Sequence, residues 1–185
     1  MEERIIIAGF GGQGVMAIGQ MLTYAGMIEG RKVSWLPSYG PEMRGGTANC
    51  NVIISDKPVG SPLVEEANSV IILNKPSLDK FEGNVIKGGN LFINTSLIDR
   101  KSTRDDINVY YIPANDIATE LENPKVTNMV MLGAYLEVTK AVSLESIYEA
   151  YGKVFGESKL NLLPINKEAM ERGAKLIREQ IKVEA

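Results

Sequence analysis

Two runs of residues in this chain have the types and spacing to do chemistry. Gly9-Phe10-Gly11-Gly12-Gln13-Gly14 follows an apolar stretch at residues 4–8, and Ser38-Tyr39-Gly40-Pro41-Glu42-Met43-Arg44-Gly45-Gly46 follows a second at 32–36. Where a strand feeds straight into a helix, the first helical amides lack internal partners and the helix dipole is positive. Glycines that let a ligand reach that backbone make an anion site, with a phosphate or pyrophosphate as its natural occupant. The same glycines also suit a tight turn with close packing and no ligand. The second run is a long loop with one fixed positive charge, Arg44, whose guanidinium fork matches a phosphate. It equally suits an ordered loop with a Glu42–Arg44 surface pair, or a contact with another subunit.

The elements that must position these runs are legible from periodicity. Arg4 to Ala8 is a continuous apolar run, the pattern of a strand covered on both faces. From Gln13 to about Glu29, Val15, Ile18, Leu22 and Ala25 recur at helical spacing, and Gly30 supplies a stop. Further strands are predicted at 32–36, 48–55, 69–73, 90–94 and 109–112, with a short helix at 76–81. Residues 100–106, five of them charged, read as a solvated loop. Beyond 112 the pattern turns helical. Asn123-Pro124 opens one segment running to about Lys140, and Ser143 caps another with Val142 and Ile147 spaced as a hydrophobic staple. A last helix over 167–182 places Met170, Ala174, Ile177 and Ile181 on one face. The alternation predicts an α/β fold. It is a three-layer Rossmann-like sandwich with a mainly parallel sheet and a helical C-terminal third, in a single domain over 1–185.

Composition narrows the function classes. The 20 basic and 23 acidic residues are interspersed and sum to −3, so no basic footprint for nucleic acid exists. One cysteine and no histidine leave no ligand set for zinc or an iron–sulfur cluster, and no Ser-His or Cys-His pair. Cys50, inside a predicted core strand, reads as a small buried residue, and Tyr148, Tyr151 and Phe155 read as helix packing. No secretory leader or membrane-length apolar run is read, so the expected location is cytoplasmic, without a membrane partner. An NAD site calls for a carboxylate near the end of the second strand, where this chain has Trp35-Leu36-Pro37-Ser38. Arg44 instead suits the ribose phosphate of NADP or of coenzyme A. A free-standing NADP-dependent reductase and a purely structural assembly subunit are the alternatives from other classes.

The run from Ile5 to Val15, the run from Ser38 to Cys50, and Thr127-Asn128-Met129-Val130-Met131-Leu132-Gly133-Ala134 together resemble the gamma subunit of the 2-oxoacid:ferredoxin oxidoreductases. The resemblance covers nearly the whole chain. It implies a complex that decarboxylates a 2-oxoacid, passes two electrons through iron–sulfur clusters to ferredoxin and releases acyl-CoA. Thiamine diphosphate and the clusters are then expected in the alpha and beta subunits, and in delta where the complex has four. This chain would hold no firm cofactor of its own, carry no catalytic residue and bind no metal, but support coenzyme A use and assembly. The implied contacts are Gly9, Gly11, Gly12, Gln13 and Gly14 as cradle; Ser38, Arg44, Gly45 and Gly46 toward coenzyme A or a neighbouring subunit; and Asn128 as a hydrogen-bonding amide or a structural one. The wording of the second motif looks more like the 2-oxoglutarate members than the pyruvate members.

Overall fold

Ile5, Ile6 and Ile7 are all buried, which requires that their strand be covered on both faces and both edges. The computed structural model, which describes residues 1–38 and 47–184, provides that cover. Strand β1 (Glu2–Phe10) lies inside a six-stranded sheet of order β2-β3-β1-β4-β5-β6. The other strands are β2 (Lys32–Ser38), β3 (Thr47–Ser55), β4 (Ala67–Ile72), β5 (Val85–Asn94) and β6 (Asn108–Ile112). β1, β4, β5 and β6 pair in parallel, whereas β3 runs antiparallel to both β1 and β2. Five strands therefore share one direction, as expected of a mainly parallel sheet. The insertion of β3 between β1 and β2 was not expected, because apolar periodicity marks a strand but not its neighbour. Each fully buried isoleucine of β1 contributes about 1.5–3 kcal/mol.

The three layers are unequal. One face of the sheet carries α1 (Val15–Ile28), α3 (Ala114–Glu120), α4 (Thr127–Thr139), α5 (Leu144–Phe155) and α6 (Leu163–Glu184), whose apolar residues join Ile5, Ile7 and Phe92 in one core. The other face has α2 (Lys75–Phe81) with the loops that flank it, around Ile6, Ala8, Val70 and Ile72. α1 ends in a Schellman motif: Gly30 has φ +74°, its N–H reaches Met27 O, and Arg31 N–H reaches Gly26 O. Ser143 caps α5 by accepting from Ser146 N–H, with Val142 and Ile147 buried beneath it.

α4 is the centre of the helical layer, buried from Thr127 to Leu136. It crosses α6 backbone to backbone: a Cβ added at Gly133 would lie 2.0 Å from Met170 O, and one at Gly173 2.0 Å from Val130 O. α6 starts four residues earlier than the periodicity suggests. Its Met170, Ala174 and Ile177 are buried, whereas Ile181, one turn further along the same face, is 46% exposed near the end of the helix. Residues 100–106 also depart from the solvated loop expected of them. Arg100 and the Ser102 hydroxyl bind the Glu82 carboxylate, and Arg104 donates to Val85 O, so the loop is latched to the end of α2.

Candidate functional site

The glycine turn lies at the C-terminal end of β1, beside the end of β4. Here α1 leads toward β2 on one side of the sheet while β4 opens the other half, the switch point where α/β folds bind ligands. Gly12 and Gly14 have φ +89° and +79°, the left-handed region. Gly14 is the N-cap of α1, and no side chain caps that helix and no acidic residue stands in its first turn. The amides of Val15, Met16 and Ala17 thus stand as orphan donors at the positive end of a fourteen-residue helix. Gln13 is turned inward rather than toward a ligand. Its Oε1 accepts from Phe10 N–H at 2.6 Å, and its Nε2 approaches Leu73 O at 3.5 Å. Gly9 is in β1, where a Cβ would meet that Gln13 oxygen at 2.6 Å, so this glycine makes room for the brace.

A cleft of about 460 Å³ opens on the turn, lined by Gly12, Gln13, Gly14 and Ala17 together with residues from α3, the start of α4 and the end of α5. Asn128 packs directly on Gly14. Its Nδ2 lies 3.4 Å from Gly14 O, a long hydrogen bond, and a Cβ at Gly14 would come within 2.3 Å of that nitrogen. Gly14 O fixes which end of the amide faces it, so Oδ1 is left as an acceptor on a residue only 6% exposed. Asn115 is oriented by a similar chain. Ala114 N–H donates to Asn94 Oδ1, and Asn94 Nδ2 then donates to Asn115 Oδ1 at 2.7 Å and to Leu73 O at 3.2 Å. The Asn115 NH₂ is left as a donor on the cleft lining. Among the described residues Lys125 is the one cation of that lining, and no carboxylate joins it.

The structure therefore unites Gly12, Gln13, Gly14 and Asn128, 114 residues apart at the Gly14–Asn128 contact. Gly11 is exposed in the turn itself. Ser38 ends β2 at the same sheet edge, opposite Asn49, with β3 between it and β1. Arg44, Gly45 and Gly46 lie outside the described residues, as does Glu42. Asn115, Lys125 and Phe155 escaped sequence reasoning. Asn123 and Pro124 were legible as a cap, and Asn123 Oδ1 does accept from Lys125 N–H, but nothing local ties that turn to glycines over a hundred residues away. Phe155 packs on Tyr151 with centroids 4.6 Å apart, as expected, and also reaches the cleft. Cys50 is fully buried, and burial pushes its thiol up to about 12 against a smaller lowering by Trp35.

A larger cavity of about 590 Å³ lies at the opposite end, between α4, α5 and α6. Several of its charges are paired with one another, Glu137 with Lys140 and Arg178, and Glu171 with Arg178.

Comparison with known proteins gives the family. Residues 4–176 match the family described as pyruvate ferredoxin/flavodoxin oxidoreductase. The ketoisovalerate oxidoreductase subunit VorA of Methanothermobacter marburgensis is 39% identical over 99% of this chain, which spans 38% of that relative's length. The 2-oxoglutarate synthase subunit KorC of Methanocaldococcus jannaschii is 34% identical over 90% of this chain and 92% of its own. The crystal structure of a keto/oxoacid ferredoxin oxidoreductase gamma subunit from Geobacter sulfurreducens superposes with a TM-score of 0.80 at 26% identity, covering 96% of this chain and 99% of that one. The chain belongs to the pyruvate ferredoxin/flavodoxin oxidoreductase family, among the gamma subunits of its 2-oxoacid:ferredoxin oxidoreductases.

Proposed function

We propose that this chain works within a complex that oxidatively decarboxylates a 2-oxoacid to acyl-CoA and CO₂, with two electrons passing to ferredoxin, and that its own part is to hold coenzyme A. The observation that carries this reading is the cleft at the glycine turn: uncapped helix amides, a lysine and an oriented amide donor, with no carboxylate among the described residues of the lining. Such a site takes phosphate. The cofactors of the chemistry do not fit this chain. An iron–sulfur cluster takes four thiolates, whereas the chain has one thiol, buried and held protonated. Thiamine diphosphate brings a divalent cation that needs oxygen ligands, and the described residues of the cleft offer no carboxylate for it. Both belong to the other subunits, alpha and beta, and delta where present.

Anaerobic affinity purification of this chain from its own cells, followed by coenzyme A-dependent viologen reduction, tests the complex. Partner subunits are expected to co-elute. Of 2-oxoglutarate, 3-methyl-2-oxobutanoate and pyruvate, the first is expected to react fastest, on the wording of the second motif. A faster branched-chain or pyruvate reaction would reassign the substrate; a chain that elutes alone and inactive sinks the complex. Ala17→Asp then tests the cleft. A carboxylate at the third helical position suits the dipole and keeps α1 stable, yet it faces the anion site. KM for coenzyme A should rise about tenfold or more, with KM for the 2-oxoacid unchanged. An assembly subunit without a ligand would leave both constants alone.

A further inference from the structure

The cavity of about 590 Å³ at the end of the sheet where β1 and β2 begin has the size of a small-molecule site. Its floor is apolar: Leu136, Val142, Met170 and Ala174 are each 8% exposed or less. The close approach of α4 and α6 at Gly133 puts those residues on rigid elements. Around the floor the charges are nearly all spoken for. Glu137 is held by Lys140 and Arg178, and Glu171 by Arg178. Asp56 takes the Met1 ammonium and Arg31, whose Nε lies 2.7 Å from it, and Arg31 Nη2 is covered by protein and cannot reach the cavity. Glu29 Oε1 accepts from Ser143 N–H at 2.7 Å. Glu145 is the exception: it stands exposed at the rim, in the first turn of α5, with neither an ion pair nor a hydrogen-bond donor among the described residues. One turn along α5, Tyr148 brings a half-buried ring to the same wall. Burial, and after it the charges of Glu145 and Glu171, push the Tyr148 hydroxyl above its ordinary 10, so this end of the cavity is electronegative. The ring already takes a cation from outside the lining, with Lys167 Nζ 4.2 Å from its centroid.

We propose that this cavity binds a small organic cation, an amine with an apolar or aromatic body, its ammonium on Glu145 beside the Tyr148 ring and its body over Leu136, Val142, Met170 and Ala174. A carboxylate of the same shape is refused, because it would stand against Glu145 and find Lys140, Arg178 and Arg31 already paired. Occupancy here is independent of what the glycine-turn cleft holds, since no residue lines both.

The test is calorimetric titration of the purified complex at pH 7 and low salt with two probes of similar length and opposite charge, 2-phenylethylamine and 3-phenylpropanoate. The amine should bind with a Kd of about 1 mM or tighter, and the carboxylate about tenfold more weakly or worse. Glu145→Gln should weaken the amine about tenfold while leaving the carboxylate as it was, and Glu145→Asp should recover most of that loss. Ala174→Met, which fills the floor from α6, should weaken the amine whatever the charge at the rim. Equal affinity for the two probes, no amine binding up to about 10 mM, or an amine affinity untouched by Glu145→Gln overturns the proposal. Amine affinity kept in Ala174→Met would put the probe outside the cavity and overturns it as well. So does an amine that binds the isolated full chain but not the complex, since the cavity is then the seat of another subunit.

Discussion

Glu3 is the residue whose setting is least expected of its type. It faces the helical layer from β1, where its Oε1 accepts from the Ser69 hydroxyl at 2.7 Å and from the Tyr135 hydroxyl at 3.3 Å. Tyr135 is fully buried and stands edge-on to Phe92. Burial raises the Glu3 carboxyl above its ordinary 4.5, and the two hydroxyl donors only partly offset that. A carboxyl whose folded value is raised supports the fold below its unfolded value, and that support is lost as pH rises through the folded value. At neutral pH the charge is therefore a cost. Glu3→Gln keeps an acceptor for both hydroxyls and should raise the urea midpoint at pH 7, with the gain vanishing below about pH 4. An equal gain at both pH values would show that charge is not the cause.

Helix α4 owes its place to two glycines at a scale above any one side chain. Because Gly133 and Gly173 bring the backbones of α4 and α6 into contact, an added methyl meets main-chain carbonyls that cannot swing aside. Gly133→Ala or Gly173→Ala should cost about 3 kcal/mol, a fall in Tm of roughly 10 °C. Gly60→Ala, which meets nothing, is the control and should lie within about 0.5 kcal/mol of the parent. Losses in the two helices no larger than the control would mean that the helices part without cost. These elements also mark what a sequence reveals. α1 and α5 were legible because 3.6-residue spacing and caps are local, and α4 because Asn123 and Pro124 mark the turn that leads into it. α3 was not: it is seven residues long, follows Pro113 and has no side-chain cap, too short for a period to register. β5 was placed only from Asn90, because Gly88 and Gly89 break its first half. Half of the cleft was legible for the same reason. The turn has a local signature, whereas Asn115, Lys125 and Phe155 join it only through tertiary packing.

At the level of the whole molecule, β1 is the strand on which both halves of the sheet depend. Residues 5–8 pair with Asn49–Val52 on one side and Ser69–Ile72 on the other. Their amides should exchange with solvent only through global unfolding, more slowly than those of α2 or β6, as hydrogen exchange with mass spectrometric or NMR readout can measure. Slower exchange in β6 would place the last-opening unit elsewhere. The alternation of strands and helices announced this architecture, but only the structure reveals that β3 rather than β2 lies beside the first strand, and that its Glu3 meets a tyrosine 132 positions away. That arrangement has a consequence during synthesis. β1 is made before both of its partner strands, so its edges stay open until β3 and then β4 have emerged, and its helical cover stays incomplete until α4 and then α6 arrive to lock against each other. Until Ile72 has been made, a nascent chain carries the apolar run at residues 5–8 with at least one edge open, so a stall before that point favours aggregation more than a stall after it.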